Sequence, residues 1–161
     1  MTEIKIYEIN AAYVDYLVPF APHLFQNSKK EQANTRKYIG IVLHINGYDY
    51  FAPLSSFKPK HEKMREGLDF LKVKDYAVIN LNNMFPVPPS ECAYVDFNKV
   101  KDSAYKSLLL AEYRFIKSIS AKICKNAAAL YAHKLAKSES TPLAKRCNDF
   151  VLLEKKCAQY K

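Results

Sequence analysis

The pattern of apolar and polar residues changes its period near residue 100. Before that point, short segments with alternating or β-rich composition are typical of strands, and beyond it apolar residues recur at helical spacing. The predicted strands are 4–9 (IKIYEI), 38–45 (YIGIVLHI), 48–54 (YDYFAPL), 68–74 (LDFLKVK), 76–82 (YAVINLN) and 92–97 (CAYVDF). Because strands come first and helices follow, the order predicts an α+β fold with an antiparallel sheet or small barrel.

Two local signals sharpen this prediction. Asn46 and Gly47 lie between two β-rich segments, and both tolerate the positive φ angles that a type I′ hairpin turn requires. Asn10 can cap a short helix over residues 11–18, which Pro19 ends.

The second part of the chain carries one long apolar stripe. Its main members are seven residues apart and predict a helix over about 103–137, with Asp102 or Ser103 as its cap: Leu109, Ile116, Ile123 and Leu130. The polar segment 138–142 (SESTP) breaks this helix, and a final helix occupies part of 142–159. With no internal repeat or linker, the pattern predicts one domain over residues 1–161.

The net charge of +9 is unevenly distributed. Residues 1–98 contain 11 basic and 11 acidic side chains, whereas residues 99–161 contain 14 and 5. This asymmetry favours a polyanionic partner, nucleic acid first among them. A lysine-rich helix face that is merely solvated, or one that binds an acidic protein, are the alternatives.

Several classes of protein are disfavoured by composition. The chain has no segment resembling a secretory signal and no apolar run long enough to span a bilayer, so a cytoplasmic location without membrane association is the expectation. Three glycines provide no glycine-rich phosphate loop. The four cysteines form no CxxC pair and have no histidines at ligand spacing beside them, so we expect neither a metal nor another cofactor.

The most informative chemistry follows the predicted strand 48–54, in the loop 55–67. Ser55 and Ser56 offer hydroxyls, and Lys58, Lys60 and His61 add cations and an imidazole. Such groups donate well to phosphate oxygens. RNA carries its own nucleophile, the 2′-OH, so cleavage needs alignment, proton transfer and charge stabilisation but no metal. An ordinary polar turn is the competing interpretation, since no carboxylate or histidine pair stands out as general acid and base.

Other residues could contact RNA for similar reasons. Tyr13 could stack on a base or donate to a phosphate, and Arg36 is a cation just before the strand 38–45. Six basic residues are predicted RNA contacts because of their charge, and most of them lie close to these segments. They are Lys37, Lys60, His61, Lys63, Arg65 and Lys117.

Four segments, in this order and spacing, resemble one family. They are IKIYEINAAYVDYL, YIGIVLHINGYDYFAPLSSFKPKH, INLNNMFPV and CNDFVLLEKK. Together they are similar to the endoribonuclease toxins of type III toxin–antitoxin systems, the ToxN/AbiQ-like proteins. The resemblance covers most of the chain.

The resemblance implies a fold and an activity that the pattern alone does not give. The implied fold is a compact, strongly bent antiparallel barrel surrounded by helices, similar to the MazF/Kid-type toxins. The implied activity is metal-independent RNA cleavage that leaves 2′,3′-cyclic phosphate and 5′-hydroxyl ends. The implied partner is an RNA antitoxin, cut from a repeat precursor and bound in a closed toxin–RNA hetero-oligomer. Cellular or phage RNAs would be the other substrates, in abortive infection or plasmid maintenance.

The family's site residues carry over one at a time. Ser55 and Ser56 match the hydroxyl pair, with Ser56 implied to hold the scissile phosphate, and Lys58 is implied to stabilise the phosphorane. Tyr13 matches the tyrosine of the N-terminal helix. Arg36 stands where the family can have lysine, and it keeps the charge but is a much poorer proton donor.

The match has one local departure. Phe57 stands where the family usually has proline, which affects the geometry of the loop rather than its charges. His61 also matches a family histidine. The runner-up function is a non-catalytic RNA-binding barrel whose loop holds phosphate without cutting.

Overall fold

The computed structural model describes residues 3–24 and 36–161. Its strands are β1 (Lys5–Ile9), β2 (Lys37–Ile45), β3 (Tyr48–Ser56), β4 (Phe70–Val73), β5 (Ala77–Asn80), β6 (Phe85–Pro86) and β7 (Cys92–Tyr94). Its α-helices are α1 (Ala11–Leu17), α2 (Pro59–Lys63), α3 (Ser103–Ser118), α4 (Ser120–Lys137), α5 (Pro142–Arg146) and α6 (Phe150–Gln159). The predicted α+β class is therefore confirmed.

The strands form one antiparallel sheet in the order β4-β5-β3-β2-β1-β7, with β6 paired to β3. Within the part of the chain that the structure describes, β4 and β7 stay unpaired with each other, so the sheet is open and the predicted closed barrel is not found. A register shift between Gly40 and Leu43 interrupts the β2–β3 ladder, and such irregularities bend a strand locally.

Each face of the sheet carries its own hydrophobic cluster, because successive side chains of a strand point to opposite faces. On one face, strand residues such as Tyr50 and Leu54 pack with the apolar stripe of α3 and α4. All four predicted stripe residues are buried: Leu109, Ile116, Ile123 and Leu130. On the other face, Phe51 packs with residues of α1 and α6.

The predicted hairpin turn and the two predicted helix caps are confirmed. Asn46 and Gly47 have φ angles of 56° and 81° and connect β2 to β3. The Asn10 side chain accepts a hydrogen bond from the N–H of Ala12 at the start of α1. Asp102 caps α3 in the same way.

The differences from prediction that matter most concern β3, the loop after it and the long helix; other strand ends shift by one to three residues, and the final helix is α5 and α6. β3 continues through Pro53 to Ser56, so both serines belong to the strand rather than to the loop after it. The loop contains the short helix α2. The long helix is two helices, because the backbone of Ile119 (φ −113°, ψ 17°) leaves the helical conformation while the apolar stripe continues past it.

A buried polar group fixes α6 over the sheet. Glu154 accepts hydrogen bonds from the hydroxyls of Tyr50 on β3 (2.6 Å) and Tyr131 on α4 (2.7 Å). Buried carboxylates require such partners, so this group ties three elements to one point. No helix in the described ranges is long and apolar enough to cross a membrane.

Candidate active site

The C-terminal end of β3 opens into a cleft of about 440 Å³. Five segments of the chain form its walls. The lining residues are His23, Ser55, Lys58, Lys60, His61, Met64, Phe70, Asn80, Asn82, Asn83 and Arg146. Four residues singled out in the predicted loop therefore share one concave surface: Ser55, Lys58, Lys60 and His61.

Strand pairing places Arg36 beside Ser55. Lys37 of β2 lies opposite Leu54 of β3, so the preceding residue of β2 meets the following residue of β3. Nη1 of Arg36 donates a hydrogen bond to Oγ of Ser55 at 3.2 Å. The pairing of β2 with β3 thus brings two predicted site residues, Arg36 and Ser55, into contact. Ser56 is exposed, pairs with Ala77 and is not among the residues that line the cleft.

Lys58 and His61 form a backbone–imidazole clasp at the start of α2. The N–H of Lys58 donates to Nδ1 of His61 at 2.9 Å, and the N–H of His61 donates to the carbonyl of Lys58 at 2.8 Å. The imidazole is buried, with ring centres of Phe57 and Phe70 each 5.7 Å away. Burial is the main cause that lowers the pKa of His61, and Lys60 and Lys58 add to it. The neutral imidazole accepts a hydrogen bond at Nδ1 and so fixes the backbone of Lys58.

The opposite wall consists of amides and a guanidinium. Asn80, Asn82 and Asn83 end β5 and form the turn after it, and Arg146 ends α5. Arg146 forms a two-pronged ion pair with Asp69, with Nε and Nη2 at 2.9 and 3.3 Å from its carboxylate oxygens. This hydrogen-bonded carboxylate raises the pKa of Arg146.

The predicted catalytic Tyr13 is not brought into this group. Its side chain is fully buried, and its hydroxyl donates to the carbonyl of Pro86 at 2.5 Å. Burial raises the pKa of this phenol, and its contact with Cys157 adds to the rise. The position favours a packing role, and a catalytic role for Tyr13 stays a prediction.

The predicted RNA contacts divide by location. Lys60 lines the cleft with His61, and Lys63 and Arg65 are exposed on and just after α2.

Two members lie elsewhere. Lys37 is 8% exposed, forms an ion pair with Glu8 at 2.9 Å and lies 5.6 Å from the ring centre of Tyr105. Lys117, on α3, pairs with Glu3 at 3.2 Å. Residues 25–35, which include Lys29 and Lys30 upstream of Arg36, lie outside the described residues.

Sequence reasoning missed one wall of the cleft. The amide-rich stretch Asn80–Asn83 is visible in the sequence, at the end of the predicted strand 76–82 and within the family segment INLNNMFPV, but neither signal gave it a place in the site. Arg146 had no local signal, because its place depends on long-range contacts. The N–H of Asn148 donates to the carbonyl of Asn82 at 2.9 Å, and Nδ2 of Asn82 donates to the carbonyl of Arg146 at 3.1 Å.

The arrangement suits a phosphodiester in a cationic environment. Ser55 and Lys58 supply donors on one wall, and Arg36 is hydrogen-bonded to Ser55. Phosphate oxygens accept hydrogen bonds from such groups strongly. Across residues 3–24 and 36–161, no three His, Cys, Asp or Glu side chains are grouped as ligands for a metal ion.

Known proteins resemble this chain over almost its whole length. Endoribonuclease ToxN of Pectobacterium atrosepticum is 32% identical, over 95% of this chain and 91% of the relative. Endoribonuclease ToxN of Bacillus thuringiensis subsp. kurstaki is 30% identical, over 98% and 84%. Endoribonuclease AbiQ of Lactococcus lactis subsp. lactis is 28% identical, over 98% and 89%.

Solved structures agree with these relatives. One, of a bacterial antiviral system regulated by a processed non-coding RNA, superposes with a TM-score of 0.84 at 28% identity, covering 97% of this chain and 98% of that chain. Another, of a type III toxin inhibited by a non-coding RNA pseudoknot, gives a TM-score of 0.80 at 28% identity over 99% and 98%.

The family profile described as toxin ToxN of type III toxin–antitoxin systems matches residues 5–158. This match leaves only the terminal residues outside it and includes every wall of the cleft. The chain therefore belongs to the ToxN toxin family of type III toxin–antitoxin systems.

Proposed function

We propose that this protein is an endoribonuclease toxin that cuts RNA without a metal, by attack of the 2′-OH on the adjacent phosphate. The observation that carries the proposal is that Ser55, which Arg36 contacts, and Lys58 line the same cleft. Family membership supports it independently, since the relatives are endoribonucleases.

The chemistry assigns a role to each group. The 2′-oxygen forms a bond to phosphorus and loses its proton, while the bond to the 5′-oxygen breaks and that oxygen gains a proton. Negative charge grows on the phosphoryl oxygens during this exchange, and fixed donors stabilise such charge. Lys58 supplies positive charge, and Ser55 with Arg36 holds the phosphate. The resemblance gives this task to Ser56, which does not line the cleft. The products carry 2′,3′-cyclic phosphate and 5′-hydroxyl ends.

The regulator in this proposal is an RNA. A processed non-coding RNA regulates one structural relative, and a non-coding RNA pseudoknot inhibits another. The toxin would cut its own repeat precursor and then be held by the folded units in a closed toxin–RNA assembly. The excess of basic over acidic side chains in residues 99–161 supports a polyanionic partner. Phage defence by abortive infection or plasmid maintenance is the biological role, and the MazF/Kid likeness of the fold is part of the same proposal.

The first test is incubation with labelled RNA in excess EDTA, followed by analysis of the fragment ends. We expect discrete cuts with the two end groups named above. Lys58→Ala should abolish cleavage. Lys125→Ala removes the same charge at an exposed position of α4 outside the cleft, and it should leave cleavage intact. RNA that stays bound but uncut, beside an active related toxin, would make the protein a phosphate-binding module.

A further inference from the structure

The two walls of the cleft differ in chemistry, and the difference points to two tasks. The first wall carries Lys58 and Lys60, which are strong phosphate donors. The second carries three asparagines and an arginine whose charge Asp69 balances. We propose that this second wall recognises the nucleobase beside the scissile phosphate, with Arg146 as a specificity-determining residue. This inference rests on the proposed ribonuclease function.

The ion pair with Asp69 orients the Arg146 guanidinium and offsets its positive charge. Asp69 is 7% exposed and holds Nε and Nη2, whereas the Arg146 side chain is 52% exposed. The pair has no net charge, so it adds little long-range attraction for phosphate. Nη1 takes no part in the pair, and its N–H donors have a fixed orientation. A planar guanidinium held in this way suits a base edge with acceptor atoms.

Backbone hydrogen bonds fix the wall from behind. The N–H of Leu81 donates to the carbonyl of Asp69 at 2.9 Å, which ties the asparagine turn to the partner of Arg146. On the other side, Asn82 is joined to Arg146 and Asn148 by the two bonds described above. A site supported by such contacts keeps its groups in one geometry, as discrimination between similar ligands requires.

Amides and a neutralised guanidinium match bases better than they match phosphates. An amide offers both donors and an acceptor, and unpaired RNA bases present distinct donor and acceptor patterns on their edges. Nδ2 of Asn83 donates to the carbonyl of His23 at 3.4 Å and Nδ2 of Asn82 to that of Arg146, so the Asn80 amide and the Asn82 oxygen are the groups left for a base. Phosphates are identical in every nucleotide. The cationic wall therefore holds the phosphate. The second wall, whose groups carry no net charge, selects the base next to the cut.

The test is the cut-site profile on an RNA pool with randomised positions, read by sequencing the fragment ends. Arg146→Ala and Arg146→Lys should both broaden the base preference next to the cut, with the preferred base losing roughly tenfold of its advantage, the order of one lost hydrogen bond from a charged donor. The end groups should stay unchanged. Lys145→Ala is the matched control, since Lys145 precedes Arg146 on α5 and does not line the cleft.

Each outcome bears on a different statement. An unaltered profile in Arg146→Ala overturns the inference while the ribonuclease function stands. A broad profile in Arg146→Ala with a wild-type profile in Arg146→Lys also overturns it, because charge alone would then suffice. Broadening in Lys145→Ala overturns it as well.

Two further results keep the test decisive. A wild-type protein that cuts no RNA overturns the proposed function, and the inference with it. If Arg146→Ala is folded but inactive, Asp69→Asn decides, because it keeps the arginine and loosens its orientation. A broadened profile in Asp69→Asn supports the inference, and an unchanged one overturns it.

Discussion

Replacement of His61 separates two roles that an imidazole in a cleft can have. We expect a positioning role, because Nδ1 accepts the N–H of Lys58 and the ring is buried between Phe57 and Phe70. His61→Asn keeps an acceptor near the place of Nδ1 and removes the titrating ring. His61→Ala removes both.

The contacts that each substitution removes set the expected loss of stability and of cleavage rate. Loss of the acceptor costs about 1 kcal/mol, and loss of the buried ring costs roughly 1–2 kcal/mol more. For a chain of 161 residues, His61→Ala should therefore lower Tm by roughly 4–12 °C, and His61→Asn by about half as much. A displaced Lys58 should slow cleavage by about 100-fold in the alanine variant. The asparagine variant should stay within about tenfold of wild type.

The assay is single-turnover cleavage of one labelled RNA, with Tm measured on the same samples. His44→Ala serves as control, since His44 is an exposed strand residue outside the cleft. If His61→Asn is well folded yet as slow as His61→Ala, the imidazole takes part in proton transfer and the positioning role is refuted.

The pH dependence of stability provides a second readout of the same residue. Burial lowers the pKa of folded His61, whereas the unfolded value is about 6.5. The unfolded chain therefore binds the proton more readily, so stability should fall as pH drops below about 6.5. His61→Asn should remove this part of the decline.

Three shorter predictions concern other buried or cleft groups. Ser55→Ala should slow cleavage by about tenfold or more, because it removes a cleft hydroxyl bonded to Arg36; an equal or larger loss in Ser56→Ala, measured under the same conditions, would give the phosphate-holding role to Ser56. Tyr13→Phe should lower the free energy of unfolding by about 1 kcal/mol through the lost hydroxyl bond and leave cleavage within a few-fold; a folded but inactive variant would establish a catalytic phenol. Burial raises the pKa of Glu112 to about 7, so stability should fall as pH rises from about 5 through 7. Glu112→Gln should be more stable than wild type at pH 8 and similar at pH 5 by thermal unfolding, and a less stable variant at pH 8 would contradict this.

Local rules predicted much of the sheet. The turn at Asn46 and Gly47, the cap at Asn10 and the apolar stripe each depend on residues close in sequence, so they could be read directly. The break at Ile119 was hidden because the stripe keeps its period across it. Helix α2 was missed because Lys58, in the N-cap position, is not a usual capping residue.

The cleft shows where sequence reasoning ends. Its cationic wall lies on one short segment and carried a chemical signature. The opposing wall depends on an ion pair between Asp69 and Arg146, which are 77 positions apart. Such long-range pairing leaves no mark in a single sequence. The open sheet is a similar case, because closure depends on how far its strands bend.

The distribution of the cleft along the chain has a consequence for protein synthesis. Translation proceeds from the N-terminus, so Lys58 leaves the ribosome 88 residues before Arg146. Until α5 has emerged, a nascent chain carries phosphate-binding groups without the wall that faces them. Helix α6, which Glu154 ties to the sheet, comes later still. The complete cleft can therefore form only after α5 and α6 have emerged from the ribosome.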